Sequence, residues 1–293
     1  MSTTHKPGAH GAQKDGDNTT GHEWDGIREL NTPLPTWWLY VFYATIAFAL
    51  VWVLLYPAFP GTGWNGLLGR TARTDIAEQL AADRAQNEPV LARLRGMTPA
   101  AIIADPELRD FALAGGRVAF GNNCAGCHGA GGQGAPGFPS LADDEWLWGG
   151  KLADIQHSIE HGIRAPDDEN TRMNQMPRFL ADGMLTQAQV NDVAEHVLSL
   201  SGRAGNAVAA GRGAAVFAEN CAACHGEQGQ GNQEMGAPAL NDAIWLYGGD
   251  KAAVVRSVSF SRAGVMPAWA TRLDPATIRM LVVYLHALGG TQE

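Results

Sequence analysis

The longest apolar run in the chain is WWLYVFYATIAFALVWVLLY, from Trp37 to Tyr56, twenty residues without a charge. That length crosses a hydrocarbon core as a single helix. Trp37, Trp38 and Tyr40 at one end and Trp52 and Tyr56 at the other mark the two interfaces, as an aromatic belt does. Pro35 and Pro57 punctuate the run. The segment is too long and starts too late for a cleaved signal peptide, and no small-residue cleavage site comes after it, so the pattern predicts an uncleaved anchor over 35–57. Before it, residues 1–21 are rich in Gly, His, Asn and Thr and have no apolar period; they read as a disordered part of a tail over 1–34, with His5, His10 and His22 as solvated residues.

After the anchor the pattern turns helical. Ala77–Leu94 is dominated by Ala, Glu, Gln, Leu and Arg, and Gly96, Pro99 and Pro106 break the next stretch into short pieces, giving a connector over 58–107. Two amphipathic helices stand out beyond it. Thr186 and Gln189 form a capping box ahead of a stripe at Val190, Val193, Ala194 and Val197. Asp274 and Pro275 start another, with its stripe at Ile278, Leu281, Val282 and Leu285. No run reads as a strong alternating strand, so the predicted class is all-α.

The two stripes close two copies of one repeat. Aligned on their cysteines, Gly116, Phe120 and Asn123 match Gly213, Phe217 and Asn220, and the run Pro139–Gly150 matches Pro238–Gly249, with Trp146 opposite Trp245 and Trp148 opposite Tyr247. Each copy then has a Met-Pro pair, Met176-Pro177 and Met266-Pro267. The repeats divide the remaining chain into 108–203 and 204–293, each a unit with a small core.

All four cysteines of the chain lie in the paired motifs Cys124-Ala-Gly-Cys127-His128 and Cys221-Ala-Ala-Cys224-His225. C-x-x-C-H is the attachment sequence of a c-type haem: two thiols become thioethers and the adjacent histidine reaches the iron. A thioredoxin-like dithiol needs no histidine and sits beside a βαβ pattern, which is absent. A zinc site would not explain the same His beside each pair, with the pairs 97 residues apart. Two covalent haem c groups are therefore expected, held by Cys124, Cys127, Cys221 and Cys224, with His128 and His225 as iron ligands. An electron-transfer iron needs a second strong-field ligand, and a methionine thioether favours the ferrous state. Met176 and Met266 are chosen for their repeated Met-Pro context, over Met173 and Met235. His157, His161, His196 and His286 have no counterparts between the repeats and read as structural or surface residues. With few charges and a net charge of −9, the chain offers nothing to nucleic acid, and its acidity suits a redox partner that presents lysines.

Both repeats look like class I cytochrome c domains. The whole chain, from about residue 22, resembles the CcoP (FixP) subunits of cbb3-type cytochrome c oxidases. The residues that carry this are His22-Glu-Trp-Asp25-Gly-Ile27, Glu29, Asn31-Thr-Pro33-Leu-Pro35-Thr-Trp37-Trp38, the single anchor ending in Tyr56-Pro57, and the tandem haem motifs. The resemblance implies a non-catalytic subunit of a proton-pumping oxygen reductase. It would pass electrons from a periplasmic cytochrome or a quinol-oxidising complex, by way of a membrane-anchored mono-haem subunit, to the catalytic subunit. It also implies, since c haems are attached outside the cytoplasm, a single-pass protein of the bacterial inner membrane with periplasmic haem domains and a cytoplasmic N-terminus. Pro139 and Pro238 are expected to take a hydrogen bond from the ligating histidines. Trp146 and Trp245 stand as propionate partners or as plain core aromatics. The pairing of ligands stays open: each methionine with its own motif by default, or exchanged, as assigned in that family. The competing classes are a free-standing di-haem shuttle, which should lack the Asp-Gly-Ile…Trp-Trp segment, a di-haem peroxidase, which should lack one Met-Pro pair, and the cytochrome subunit of a periplasmic dehydrogenase, which lacks the anchor sequence.

Overall fold

A computed structural model describes residues 18–57, 59 and 63–289; His5 and His10 lie outside them. The chain divides after Arg84 into two compact units. The first opens with an antiparallel hairpin, β1 (Thr19–Trp24) and β2 (Ile27–Leu30), with Trp24 opposite Ile27. Asp25 and Gly26 both take positive φ, 50° and 84°, as a tight primed turn of the Asp-Gly type requires. This corrects two expectations, the disordered reading as it applies to residues 19–21 and the absence of strands. Glu23 and Arg28 face each other across the hairpin as an ion pair at 2.9 Å. Helix α1 (Thr36–Leu55) comes next, with none of its residues buried. An apolar helix exposed all round is built for lipid or for a partner's helices.

Helix α2 (Ala72–Gly96) carries the chain across the division, where Pro89 removes the amide that would bond the carbonyl of Ala85. The prolines then start helices instead of merely breaking one. Pro99 opens α3 (Pro99–Ala104) behind its Thr98 cap, and Pro106 opens α4 (Pro106–Asn123) behind Asp105. A four-residue turn of helix, α5 (Ala125–His128), holds the first Cys-His motif, and α6 (Leu152–His161) and α7 (Gln187–Leu200) complete the first repeat. The second repeats the scheme with α8 (Ala207–Asn220), α9 (Ala222–His225), α10 (Lys251–Phe260) and α11 (Pro275–Leu288). The capping box of α7 and the Asp274 cap of α11 form as the sequence predicts.

The closing helices are exchanged between the repeats. Helix α11, from the second, packs its Ile278, Leu281, Val282 and Leu285 against Ala119 and Phe120 of α4 and Ile155 and Ile159 of α6. Helix α7, from the first, packs Val190, Val193, Ala194 and Val197 against Phe217 and Cys221 with Val254 and Val258 of α10. A third cluster puts Leu94 and Ile102 of the connector behind α4 and α11, beside Ala276 and Met280. Arg95 bonds both Asp274 carboxylate oxygens at 3.0 Å, and Arg279 donates to the Met97 carbonyl at 2.7 Å.

Each crossing is made close by a glycine. A methyl at Gly116 would collide with the Met280 carbonyl oxygen, and one at Gly213 with the Asp192 carbonyl oxygen. Gly116→Ala or Gly213→Ala must therefore spread two packed helices, at an expected cost of about 1–3 kcal/mol. A urea midpoint unchanged from wild type would refute the close-crossing argument.

The short linker between the repeats is fixed by Glu195, which is 3 % exposed. Its carboxylate accepts from the Gly205 and Asn206 amides at 2.8 and 3.0 Å and from Lys251 Nζ at 2.7 Å. Lys251 foremost, with the two amides, outweighs burial and holds this carboxyl below the usual range. The folded chain thus resists that proton more than the unfolded chain does. The stabilisation is complete above the ordinary value of 4.5 and fades as pH falls through the lowered one. Glu195→Gln should destabilise the protein at neutral pH and flatten the loss that sets in as pH falls below about 4.5, seen as converging urea midpoints of variant and wild type.

Candidate haem sites

The two motifs are built alike. Cys124 caps α4, its amide bonded to the Phe120 carbonyl, and Cys221 caps α8 on the Phe217 carbonyl, both at 2.8 Å. One turn of helix then turns both thiols and the histidine to one side. Gly129 and Gly226 end these turns at φ 82° and 80°, a conformation L side chains rarely adopt. The chain doubles back so that Pro139 O lies 2.9 Å from His128 Nδ1 and Pro238 O 2.9 Å from His225 Nδ1. A carbonyl only accepts, so each imidazole carries its proton on Nδ1 and presents a free Nε2 lone pair. Burial pulls the His225 pKa down, with the Pro238 carbonyl acting the other way, which favours the neutral ligand form.

The motifs open into a common cavity of about 620 Å³. Phe138, Leu246, Val193 and Val258 give it apolar walls, and Met176 and Met266 also line it. Each methionine loop runs along the other repeat. Met266 exchanges both backbone hydrogen bonds with Ile163 at 3.0 Å, and Trp269 and Ala270 bond the end of α6. Beyond Met176, Phe179 and Ala181 bond the Val258 and Ser259 carbonyls at the end of α10, both at 3.1 Å. Met176 packs on the cluster that contains Cys221, whereas Trp269, three residues beyond Met266, packs on the cluster that Cys124 adjoins. Of the rivals, Met173 is 72 % exposed. Met235 does line the cavity, where its carbonyl accepts from Asn174 Nδ2 at 2.6 Å.

The other histidines are placed elsewhere. His157 Nε2 meets the Asn170 carbonyl at 3.1 Å, His161 pairs with Asp168, and His196 packs on the Phe217 ring. None of them, nor His286, lines the cavity. Among the described residues no three His, Cys, Asp or Glu side chains gather as a metal site.

The residues present fit a covalent haem. The thiols are free. Burial, with a smaller contribution from the neighbouring cysteine, pushes Cys124 and Cys221 up to about 11, which is wrong for a reactive dithiol. Trp146 Nε1 and Trp245 Nε1, at equivalent positions, are buried donors without an acceptor, and Trp245 lines the cavity, where a bound group could supply one. Sequence reasoning missed the arginines of the site. Arg172 lies 5.2 Å over Trp148 and Arg262 4.7 Å over Tyr247. Each stands four residues before its repeat's methionine, a regularity that could have marked them.

Comparison with known proteins agrees along the chain. Residues 16–62 match the N-terminal domain of cytochrome oxidase-cbb3, FixP; residues 113–201 match cytochrome c; residues 208–285 match cytochrome c oxidase, cbb3-type, subunit III. The FixP subunit of the cbb3-type cytochrome c oxidase of Azorhizobium caulinodans is 52 % identical, with all of both chains covered. The CcoP subunit of Azospirillum brasilense is also 52 % identical over 95 % of this chain and 99 % of the relative. That of Cereibacter sphaeroides is 47 % identical over 95 % and 97 %. Cytochrome c domains imply covalently bound haem c, and the α1 span fits a membrane-anchored oxidase subunit. With two haem motifs, one span and relatives of equal length, the chain belongs to the CcoP/FixP family of cbb3-type cytochrome c oxidase subunits.

Proposed function

We propose that this chain relays electrons from a periplasmic donor, a cytochrome or a quinol-oxidising complex, towards the catalytic subunit of a cbb3-type oxygen reductase. A membrane-anchored mono-haem subunit stands between them. The observation that carries this reading is the common cavity, into which two Cys-x-x-Cys-His motifs and two Met-Pro loops converge. When bound, two c haems would supply reversible one-electron chemistry.

The chain's own residues do the rest. Cys124 and Cys127, and Cys221 and Cys224, would anchor one group each through thioethers. Pro139 and Pro238 orient His128 and His225, whose Nε2 atoms would hold one iron apiece. The exchanged loops would bring Met266 to the group held by His128 and Met176 to the group held by His225, because each Met loop is bonded along the other repeat. Apolar walls exclude water and so favour the less charged, reduced state. Helix α1 holds no charge and no histidine, so it anchors without offering a proton path. The haem domains face the periplasm and the N-terminus the cytoplasm.

Affinity purification through a C-terminal tag, from detergent-solubilised membranes, tests this. A multi-span oxygen reductase and a mono-haem cytochrome should co-purify, and the complex should consume oxygen with a reduced cytochrome as donor. A chain that purifies alone, yet still serves several reductases, would overturn the reading in favour of a free-standing shuttle.

A further inference from the structure

We propose that Arg164 is a positioning residue that latches both methionine loops with one guanidinium, so that the two axial thioethers hold or fail together. The inference rests on the His/Met ligation proposed above. Its observation is independent of that ligation: Arg164 Nε donates to the Gly264 carbonyl and Nη1 to the Asn174 carbonyl, both at 2.8 Å. Gly264 lies two residues before Met266, and Asn174 two before Met176. One planar fork thus spans the two loops at matching positions.

The backbone is arranged to aim this side chain. Arg164 sits two residues beyond Gly162, which ends α6, and takes φ 53°, a left-handed conformation that an arginine adopts only when its surroundings impose it. Its amide donates to the Arg172 carbonyl at 2.8 Å, while the preceding Ile163 is paired with Met266. The device is singular. From the end of the helix to the methionine, the first repeat runs from Gly162 to Met176 and the second only from Ser261 to Met266. Arg172 and Arg262 are matched across the repeats, but Arg164 lies in the longer loop and has no counterpart.

Its charge also stands alone. Burial works against the guanidinium, and among the described residues no carboxylate acts to offset it. The Tyr247 phenol acts the other way, and Arg262 covers that ring. A half-buried cation beside the cavity disfavours added positive charge in both sites, and so favours their reduced states. Arginine does two jobs here that separate on substitution. Lysine keeps the charge but has no fork to reach two carbonyls at once, and glutamine keeps neither.

The test uses the full-length, haem-loaded chain in detergent. Arg164→Lys, Arg164→Gln and, for comparison, Arg172→Gln are read by the near-infrared band of Met-ligated ferric haem, by both midpoint potentials, and by carbon monoxide binding. Arg164→Gln should weaken the band at both haems, lower both potentials, and speed carbon monoxide binding at both by about tenfold or more, as loss of a charge-assisted two-point contact implies. Arg164→Lys should weaken the band at both while keeping the potentials nearer wild type. Arg172→Gln should disturb one haem. A response confined to one haem in the Arg164 variants, or none, overturns the proposal. If Arg164→Gln does not load haem, the lysine variant decides alone. Absence of the band from the wild-type protein would instead overturn the ligation reading, and the latch with it.

Discussion

The double variant Cys124→Ala, Cys221→Ala is expected to lose all covalently attached haem, so that no haem stain survives denaturing electrophoresis. Each motif offers two thiols, and the chain holds no others. Loss of the first thiol of each pair removes the one that is buried deeper in its motif and fixed at the helix junction. The substitution itself is mild. Cysteine to alanine in a packed cluster costs on the order of 1 kcal/mol. Its consequence is larger, because the cavity of about 620 Å³ is then left without its covalent filling. Phe120, Phe217 and the α7 and α11 stripes would close on space, so the variant should also melt well below the wild type. Covalent haem remaining in the double variant at any residue other than Cys127 or Cys224 would refute the attachment sites. Normal haem content in Cys124→Ala alone would refute them for the first motif.

A second expected result separates own-repeat from exchanged ligation. In a chain whose first motif is removed by Cys124→Ala with Cys127→Ala, one haem should remain, at His225. Its methionine band should vanish on Met176→Ala and survive Met266→Ala. In the reciprocal chain, lacking Cys221 and Cys224, the band should vanish on Met266→Ala and survive Met176→Ala. Axial ligands command roughly 0.8 V of haem potential, so loss of the thioether should also drop the midpoint of the remaining haem and open it to carbon monoxide. The opposite pattern of survival would establish own-repeat ligation. Loss on Met173→Ala instead would contradict the choice of methionine, although that side chain stands 72 % exposed.

The helices were legible because each carries its own punctuation: Pro99, Pro106 and Pro275 at first turns, and Thr186 with Gln189 as a box. The attachment motifs and the proline acceptors were legible because covalent chemistry fixes residue types at fixed spacing. The hairpin was missed although Asp25-Gly26 is a strong turn signal, because Trp24, Ile27 and Leu30 do not alternate with polar residues along either strand. The exchange of α7 and α11 could not be read from either stripe. Both stripes carry the same spacing of apolar residues, so neither names the core that it covers. Arg164 was invisible for a related reason. Its role depends on two carbonyls, and any residue type supplies a carbonyl.

That exchange also sets an order of events for a chain made from its N-terminus. The first motif, at Cys124, emerges nearly a hundred residues before the second, yet its wall is completed by α11, the last described helix. The second motif, at Cys221, meets α7 already made. The pocket begun first is therefore finished last, and contacts such as Phe120 with Leu281 close a long loop late. Until then, Phe120 and Ile155 have no cover on that side. A chain stopped near residue 203 would contain one whole sequence repeat and no whole pocket, and it should be handled by the cell as an unfolded segment, not as half of a functioning protein.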